Sequence, residues 1–409
     1  MSLRLLAYSH DTVGLGHLRR TLGICGELTR SLPGLSALIV TGSPMAEGFR
    51  LPERTDYVKL PSVRKITNGA YEPRSLQLDF DSLASIRKGV LRKVAQAFRP
   101  DVLLVDKTPA GLKGELLPAL EALRGPGSRC RIVLGLREIL DDPETVREEW
   151  SREGLWEIVE RCYDEVWIYG QRDIYDTAGE YGFPAAIARK THFLGYLPRY
   201  NGLLPRGSVE RKLGLGDRRL VVVTAGGGED GYPLFDAYLE GLEGGAGPAN
   251  TLHCLVCGPG MEASEHARLA ARTDRPDVHF AHFSRNLTSF FSASSLIVTM
   301  GGYNSLTEIL SLRKRAVVVP RIRPRTEQLI RAERFARRGL VRLVRPDPLD
   351  PGSLMQAVSE ELDRPSFGPH AALDFGGHAA IRDRLARLLQ QAGAEEPVAA
   401  ALDAGRGTP

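Results

Sequence analysis

Short apolar runs alternate with amphipathic segments along the first half of the chain. The runs have the length of strands, and in the segments between them apolar residues recur at helical spacing. The predicted strands cover residues 3–9, 37–41, 57–60, 102–106, 131–136 and 165–169, and the main predicted helices cover 18–30, 82–98, 112–123 and 173–181. This alternation is typical of β-α-β units and predicts a parallel sheet.

The same alternation starts again after residue 216. Its first strand, at 219–224, runs into three glycines, and further strands are predicted at 252–257, 278–281, 296–299, 316–319 and 340–343. Because each half opens with a strand and a glycine loop, we predict an α/β protein with two Rossmann-like domains. The predicted order is an N-terminal domain at 1–198, a linker at 199–216 and a C-terminal domain at 217–366.

The end of the sequence has a different character. A glycine-containing connection and a helix are predicted at 367–391, and in two-domain proteins of this kind such a helix often crosses back to the first domain. The last residues, 392–409, are rich in alanine and glycine and have little apolar periodicity. We predict a disordered tail there.

Length and composition limit the classes of protein. A chain of 409 residues is too long for one ordinary core, and its hydrophobic and charged fractions, 43% and 25%, are those of a soluble globular protein. The net charge of +4 is small for this length and does not indicate nucleic-acid binding. No apolar run is long enough to span a membrane, no signal-peptide pattern precedes the first strand, and the five cysteines form an odd, sparse set. We therefore predict a cytoplasmic protein with no nucleic-acid partner.

One predicted helix, at 86–99, carries a basic cluster. Its cations are Arg87, Lys88, Arg92, Lys93 and Arg99, and they alternate with apolar residues. A solvated helix face that covers a sheet is one interpretation of this pattern. Weak docking of the helix to an anionic membrane surface is the other.

The strongest chemical signal lies in the second half. An apolar strand runs straight into Gly301 and Gly302 and then into a helix that carries Asn304, Ser305 and Glu308. Glycines at such a turn let a ligand approach the backbone, and a helix N-terminus offers N–H groups to an anion. The carboxylate, one turn further along the same face, suits the hydroxyls of a ribose. This motif predicts a nucleotide-sugar site.

A second glycine turn supports that prediction. Gly227 and Gly228 follow the first strand of the same predicted sheet, where a plain tight turn would also use glycines. Together the two turns favour a cleft between the domains that cradles phosphate. Arg199, in the predicted linker, could supply positive charge to a diphosphate, or it could be a solvated linker arginine.

The N-terminal glycine loop suggests a different ligand at first. Gly14 and Gly16 form a GxG pattern after the first strand, as in a nicotinamide dinucleotide site, but Arg19 stands where the third glycine would be. The following strand also lacks the terminal acidic residue that would bind a ribose. We therefore assign both glycines to a donor-binding loop and disfavour an oxidoreductase.

His17, where this loop becomes a helix, is the candidate base. It lies at the carboxyl side of the predicted strands, where ligands bind in open α/β folds, and its unperturbed pKa is near neutral. Asp106, at the end of another parallel strand, could orient the imidazole, and Asp11 is the rival for that role. The alternative for His17 is a helix-capping or core histidine.

These motifs resemble those of the GT-B glycosyltransferases, and most closely the family 28 group, which includes the N-acetylglucosaminyltransferase of lipid II synthesis. The resemblance rests on the loop at 14–17, the Gly-Gly-x-x-Ser-x-x-Glu run at 301–308, and Pro320 with the polar pair at 327–328. A subgroup of predicted glycosyltransferases is more similar still, judged by the segments at 106–111 and 324–332. The implied fold is GT-B, with two Rossmann-like domains whose parallel sheets face an interdomain cleft.

The resemblance also implies roles for individual residues. On the donor side, Glu308 would bind the ribose hydroxyls, and the nucleotide site would be lined by Ser305 and the backbone at Gly301 and Gly302. Glu327 and Gln328 would hold the donor sugar, the base would meet Phe283 and Ser284, and Arg199 would face the diphosphate. On the acceptor side, His17 with Asp106 would activate the hydroxyl. The chain departs from the lipid II enzyme at Gly228, Glu327 and Arg331, where that enzyme has serine, glutamine and asparagine.

The residues and the resemblance together predict a metal-independent, inverting glycosyltransferase that needs no cofactor. It would move a sugar from a nucleotide diphosphate donor, most readily a UDP-sugar, to a hydroxyl of a small-molecule, glycan or lipid-linked acceptor. Two alternatives stay open. One is a sugar-nucleotide 2-epimerase of the same architecture, and the other is a non-catalytic nucleotide-sugar-binding protein.

Overall fold

The computed structural model describes residues 3–10, 16–67, 70–198, 203–205, 207–364 and 373–391. These residues form two compact units. The first unit contains the described residues up to Leu197 together with 376–391, and the second runs from Pro198 to Phe375. Of the predicted features, Asp11, Gly14, Arg199 and the tail at 392–409 lie outside the described residues, as do parts of the predicted linker and of the connection before the last helix.

A seven-stranded parallel sheet forms the centre of the first unit, in the order β3-β2-β1-β6-β7-β8-β9. Its strands are β1 Leu3–Ser9, β2 Leu35–Thr41, β3 Thr55–Lys59, β6 Val102–Asp106, β7 Arg131–Arg137, β8 Glu165–Tyr169 and β9 Thr191–Phe193, and a separate antiparallel hairpin consists of β4 Val63–Thr67 and β5 Ala70–Pro73. The helices are α1 Gly16–Ser31, α2 Phe80–Phe98, α3 Leu117–Leu123, α4 Pro143–Arg152, α5 Leu155–Cys162, α6 Thr177–Glu180 and α7 Ala185–Ala188. The central strands are buried almost throughout, as expected of a parallel sheet.

The second unit is built around six parallel strands in the order β12-β11-β10-β13-β14-β15. The strands are β10 Arg219–Thr224, β11 Thr251–Val256, β12 Val278–Ala281, β13 Leu296–Thr299, β14 Arg315–Val318 and β15 Arg342–Leu343. The helices are α8 Ser208–Leu213, α9 Tyr232–Glu243, α10 Ala263–Ala270, α11 Leu287–Ala293, α12 Tyr303–Ser311, α13 Glu327–Ala336 and α14 Pro351–Asp363. One hydrophobic cluster packs α9 and α14 against the sheet. The prediction of two parallel α/β sheets is therefore confirmed.

Some predicted elements are wrong in extent. The helix predicted at 112–123 begins only at Leu117, because Gly111, Lys113 and Gly114 all have positive φ angles, 71°, 48° and 76°, which interrupt a helix. The helix predicted at 173–181 is reduced to the single turn of α6. The β4–β5 hairpin and the three-residue strand β9 were not predicted, since both are short and lack a continuous apolar run.

The basic cluster on α2 is divided between surface and interior. Arg92, Lys93 and Arg99 are exposed, but Arg87 is buried in an ion pair with Glu115. Arg87 therefore does not belong to a basic surface, because its guanidinium is needed to neutralise a buried carboxylate. Within the described part of the chain, no helix is both long and apolar enough to cross a membrane.

The last helix, α15 Gly377–Gln391, belongs to the first unit. Arg384 makes an ion pair with Glu165 of β8, and its guanidinium also lies 2.7 Å from the imidazole of His192. At the start of the helix, the backbone N–H of Gly377 donates to the carbonyl of Tyr196. The helix thus packs where the chain leaves the first unit.

We expect Gly377→Ala to loosen this docking. A Cβ at this position would lie 2.5 Å from the Tyr196 carbonyl oxygen and 2.7 Å from a Leu197 methyl, closer than backbone can tolerate. Urea unfolding should show a loss of about 1–3 kcal/mol, the usual cost of overpacking. Gly89→Ala on α2 is the matched control, because a Cβ there would meet no described atom within 4 Å and the substitution favours helix. Equal unfolding midpoints for the two variants would contradict a close docking of α15 at Tyr196 and Leu197.

Candidate functional site

Two neighbouring strands of the first unit end beside a helix N-terminus. β1 and β6 pair in parallel, with Tyr8 opposite Val105, so that their carboxyl ends lie side by side. Gly16 begins α1 and His17 follows in its first turn, while Asp106 is the last residue of β6. The Nδ1 atom of His17 lies 2.5 Å from Oδ2 of Asp106, and both side chains are largely buried. The structure therefore brings together the two residues that the sequence singled out for proton transfer.

The surroundings determine the form of the imidazole. Burial lowers the pKa of His17 to about 4, although the adjacent Asp106 carboxylate raises it in part. Burial alone would raise the pKa of Asp106, but the charge of Arg20, the charge that His17 carries in acid and the hydrogen bonds of both residues hold it well below its ordinary value. At neutral pH the pair is thus an ionised carboxylate and a neutral imidazole. Since the carboxylate can only accept, Nδ1 carries the hydrogen and Nε2 keeps a lone pair that can take up a proton.

A second buried network lies beside this pair. The Tyr8 hydroxyl donates to Oε1 of Glu115 at 2.7 Å, and Arg87 donates from Nε and Nη2 to the two oxygens of the same carboxylate at 2.5 and 2.7 Å. The same hydroxyl is 3.5 Å from Nδ1 of His10, whose ring meets that of His17 edge-on at 6.0 Å. Burial lowers the pKa of His10 as well. The negative charge of Glu115 and the positive charge of Arg87 thus balance each other in a network that holds Tyr8, near the end of β1 and just before the N-terminal glycine loop.

In the second unit, the predicted glycine turn at the end of β10 packs against another loop. Gly228 has φ 95°, and a Cβ there would lie 2.8 Å from the carbonyl oxygen of Gly258. The carbonyl of Gly227 accepts from the backbone N–H of Gly260 at 2.8 Å. Loop packing therefore explains the glycine at 228. At Gly227, by contrast, an added Cβ would meet no described atom within 4 Å, so the space beside this residue has room for a ligand.

The second glycine turn leads into α12. Gly301 has φ 82° and a Cβ there would lie 2.7 Å from a Val318 methyl, so only glycine fits. Gly302 caps α12 without a side-chain hydrogen bond, and Asn304 and Ser305 are half-exposed in the first turn. The structure also brings the two turns together, because a Cβ at Gly226 would be 3.7 Å from the Ser305 hydroxyl. This arrangement has the features of an anion site at a helix N-terminus.

Glu308 lies one turn further along α12 and is buried. One of its carboxylate oxygens, Oε2, accepts from the hydroxyl of Thr288 on α11 at 2.7 Å. Thr288 was not predicted as a site residue, because a contact between residues 20 positions apart leaves no local pattern. In the segment before α11, Phe283 is exposed and the Ser284 hydroxyl accepts from the backbone N–H of Asn286. The position of Glu308 is thus fixed by a partner on a neighbouring helix.

The polar pair at the start of α13 is held by an arginine that no sequence motif indicated. Arg321 donates to Oε1 of Glu327 at 2.7 Å and to Asp230 at 2.8 Å, and its backbone N–H donates to Oε1 of Gln328 at 3.0 Å. Arg331, on the same helix, is buried with its guanidinium 3.4 Å from the Gly301 carbonyl. Both residues predicted to hold the donor sugar therefore have intramolecular partners, which orient them.

Side chains that could bind a metal ion are scattered through both units. Among the described residues, no cluster of three histidine, cysteine or acidic side chains is arranged to bind one. The sequence contains one Asp-x-Asp pattern, at Asp79-Phe80-Asp81. The Asp79 carboxylate accepts from the backbone N–H of Ser82 at 2.8 Å and caps α2. That pattern therefore has a structural explanation.

The two units, each built on a parallel Rossmann-like sheet, have the GT-B class of fold, as similar solved glycosyltransferases show. A crystal structure of the glycosyltransferase of kitacinnamycin has a TM-score of 0.59 and 17% identity, with 100% of both chains covered. A UDP-N-acetylglucosamine 2-epimerase has a TM-score of 0.63 and 13% identity, covering 97% of this chain and 98% of its own. At such identities these similarities establish the fold alone.

Sequence comparison adds a family. Residues 243–372, which lie in the second unit, match the glycosyltransferase family 28 C-terminal domain. An uncharacterised glycosyltransferase of Methanopyrus kandleri is 28% identical over 166 residues, 40% of this chain and 44% of that protein. A UDP-N-acetylglucosamine–N-acetylmuramyl-(pentapeptide) pyrophosphoryl-undecaprenol N-acetylglucosamine transferase of Shouchella clausii is 26% identical over 144 residues, 35% of this chain and 39% of that protein. The chain thus matches less than half the length of these curated relatives, and the resemblance to family 28 is confirmed.

Proposed function

We propose that this protein is a cytoplasmic glycosyltransferase that moves a sugar from a nucleotide diphosphate donor, most readily a UDP-sugar, to an acceptor hydroxyl. The observation that carries the proposal is the neutral imidazole of His17, oriented by Asp106 at a sheet edge, in a chain whose second unit also matches the family 28 C-terminal domain. The first feature supplies a base and the second supplies the donor site.

The donor site is proposed on the second unit. The carboxylate of Glu308, held by Thr288, accepts hydrogen bonds from the ribose hydroxyls. The N-terminus of α12 with Gly301 and Gly302 binds the diphosphate, because helix N–H groups and dipole favour negative charge there. The remaining proposed donor contacts are made by Gly16, Gly227, Gly228, Phe283, Ser284, Asn304, Ser305, Glu327 and Gln328, together with Gly14 and Arg199 outside the described residues.

The proposed reaction is a single displacement with inversion. Nε2 of His17 takes the proton of the acceptor hydroxyl, and the oxygen attacks the anomeric carbon from the side opposite the diphosphate. The bond from that carbon to the diphosphate oxygen breaks, and its electron pair leaves with the nucleotide diphosphate. Asp106 stabilises the imidazolium that forms, and the N-terminus of α12 stabilises the negative charge on the leaving group without a metal.

A 2-epimerase is the second candidate, because a UDP-N-acetylglucosamine 2-epimerase has a similar fold. An epimerase would interconvert sugars or release UDP without any acceptor. A non-catalytic binding protein would bind the nucleotide and leave the donor intact. These outcomes are distinguished by analysing the products of each UDP-sugar with and without acceptor.

The proposal is tested first by binding and then by turnover. A thermal-shift panel of UDP, dTDP and GDP should raise the melting temperature with one base preferred, since a ligand that binds only the folded state stabilises it. Donor sugars with that base are then incubated with a panel of acceptor hydroxyls. Acceptor-dependent release of the nucleotide diphosphate and an inverted glycoside support the transferase. Release or epimerisation that is independent of acceptor contradicts it.

A lipid-linked acceptor would favour contact with a membrane surface. We propose that α2 makes this contact through exposed Arg92, Lys93 and Ile86. Sedimentation with anionic vesicles, compared with neutral ones, measures it, and equal sedimentation would contradict it.

We expect Glu308→Gln to weaken nucleotide binding. The amide keeps the size of the side chain but loses the charge, and a hydrogen bond to a charged group is worth about 1.5–3 kcal/mol against about 1 kcal/mol for a neutral one. Calorimetry with the preferred nucleotide diphosphate should therefore show a Kd about three- to thirtyfold higher. Glu360→Gln, at an exposed ion pair with Arg342 in the same unit, is the control and should bind like the original protein. An unchanged Kd for Glu308→Gln would remove Glu308 from the ribose site.

A further inference from the structure

Arg20 is the residue at the candidate base that no sequence motif indicated. It lies three positions after His17 on α1, so both side chains project from the same face of the helix. Its side chain is only 4% exposed, and its guanidinium packs 5.8 Å from the centre of the Tyr169 ring. An arginine is rarely buried unless its charge is needed by a partner.

The guanidinium of Arg20 and the imidazole of His17 bind different oxygens of the Asp106 carboxylate. Nε and Nη2 of Arg20 donate to Oδ1 at 3.1 and 2.6 Å, while Nδ1 of His17 donates to Oδ2. Because Arg20 holds Oδ1 with two N–H groups and His17 holds Oδ2, the carboxylate cannot rotate without breaking one of these contacts. The lone pairs of Oδ2 are thereby aimed at the imidazole.

Arg20 also acts on His17 directly. Its Nη2 lies 3.0 Å from Nδ1, and two donors cannot share a hydrogen bond, so this approach is a contact of a fixed positive charge with the ring. The other groups that face His17 are Asp106 and Lys107 at the end of β6 and His10 at the end of β1. The cations and burial oppose a charge on the imidazole, and the carboxylate alone favours it.

We propose that Arg20 is a positioning residue that orients the Asp106 carboxylate toward His17 and keeps the imidazole neutral and ready to accept a proton. The role in catalysis rests on the proposed transferase function, whereas the effect on the imidazole does not. Without Arg20, Asp106 would draw a proton onto His17 at moderately acidic pH, and the base would be blocked there. Its loss would also let the carboxylate rotate away from Nδ1.

The first experiment measures the imidazole itself and needs no activity. Full-length protein with 13C-labelled histidine rings is titrated by NMR, and the His17 signal is assigned from its absence in His17→Gln. In the original protein we expect His17 to stay neutral down to about pH 5, one unit above its lowered pKa. In Arg20→Met its titration midpoint should rise by about one unit or more, because a cation next to the ring is gone. Arg20→Lys keeps the charge and should leave the midpoint close to the original.

Arg30→Met is the matched control, since Arg30 lies on the same helix but is exposed. It should titrate like the original protein. If Arg20→Met does not fold, Arg20→Gln takes its place with the same expected shift, because it also lacks the charge. An unchanged His17 midpoint in a folded, uncharged variant overturns the proposal. An equal rise in Arg20→Lys and Arg20→Met overturns the argument from charge.

The second experiment measures sugar transfer as a function of pH. We expect both Arg20 variants to lower kcat about tenfold or more with a nearly unchanged donor KM, because misorientation of a base slows chemistry and Arg20 has no proposed donor contact. Only Arg20→Met should also move the acid limb of the pH profile upward. A purely structural role would lower the rate without moving that limb, and this result would overturn the proposal. If the original protein transfers no sugar but the NMR shift is observed, the proposed function fails while the effect of Arg20 on His17 stands.

Discussion

His17→Ala is expected to lower the turnover of sugar transfer about a hundredfold or more, the usual contribution of a positioned general base. Nucleotide binding should change little, because the proposed donor contacts lie mainly on the second unit. The fold should also survive, since the substitution leaves the buried ion pair between Asp106 and Arg20 intact. Initial rates at saturating donor, with calorimetry for the nucleotide, separate these effects.

The control for this experiment is His279→Ala, a half-buried histidine on strand β12 with no proposed role in the reaction. It should retain near-normal turnover. Asp106→Asn is the companion variant, because an amide no longer favours the tautomer with hydrogen on Nδ1, and a loss of similar size is expected. Near-normal turnover in purified His17→Ala would remove the base assignment, although the nucleotide site could remain.

Arg87→Met is expected to destabilise the first unit by about 3–5 kcal/mol, the usual result of removing one partner of a buried ion pair. The guanidinium supplies two hydrogen bonds to Glu115 and a third to the carbonyl of Pro61. Methionine fills similar space but would leave the Glu115 carboxylate buried without a counter-charge, still accepting from the Tyr8 hydroxyl. Urea unfolding followed by circular dichroism measures the loss.

Two further variants make this result interpretable. Arg64→Met breaks the exposed ion pair with Glu72 on the β4–β5 hairpin and should leave the unfolding midpoint nearly unchanged. Replacing Arg87 and Glu115 together with apolar residues should recover much of the loss, because no buried charge then lacks its partner. If Arg87→Met costs no more than Arg64→Met, the buried pair is not a stabilising element of the fold.

The sequence was informative where one local rule decides the structure. Apolar runs between amphipathic segments predicted the parallel sheets, because buried parallel strands must be continuously apolar. His17 and Asp106 could be paired without coordinates because carboxyl ends of neighbouring parallel strands meet at one edge. The glycine turn at Gly301 was recognisable since a positive φ beside a packed strand permits little else.

It was uninformative where a role depends on contacts between distant segments. In the sequence, Arg20 and Arg87 both look like surface cations on amphipathic helices. They are buried because each forms an ion pair with a buried carboxylate, Asp106 or Glu115, that lies far away in the sequence. The partners of Glu308 and Glu327, which are Thr288 and Arg321, leave no motif for the same reason. The broken helix before Leu117 was missed because Lys113 adopts a left-handed backbone angle that its residue type does not suggest.

The assignment of α15 to the first unit has a consequence for biosynthesis. During translation the ribosome completes the whole second unit before residues 376–391 emerge. Until they do, the N-terminal part of the first unit lacks helix α15. Until then, the strand that carries Glu165 lacks the guanidinium of Arg384. Premature termination near residue 375 would thus damage the half of the protein that was made first.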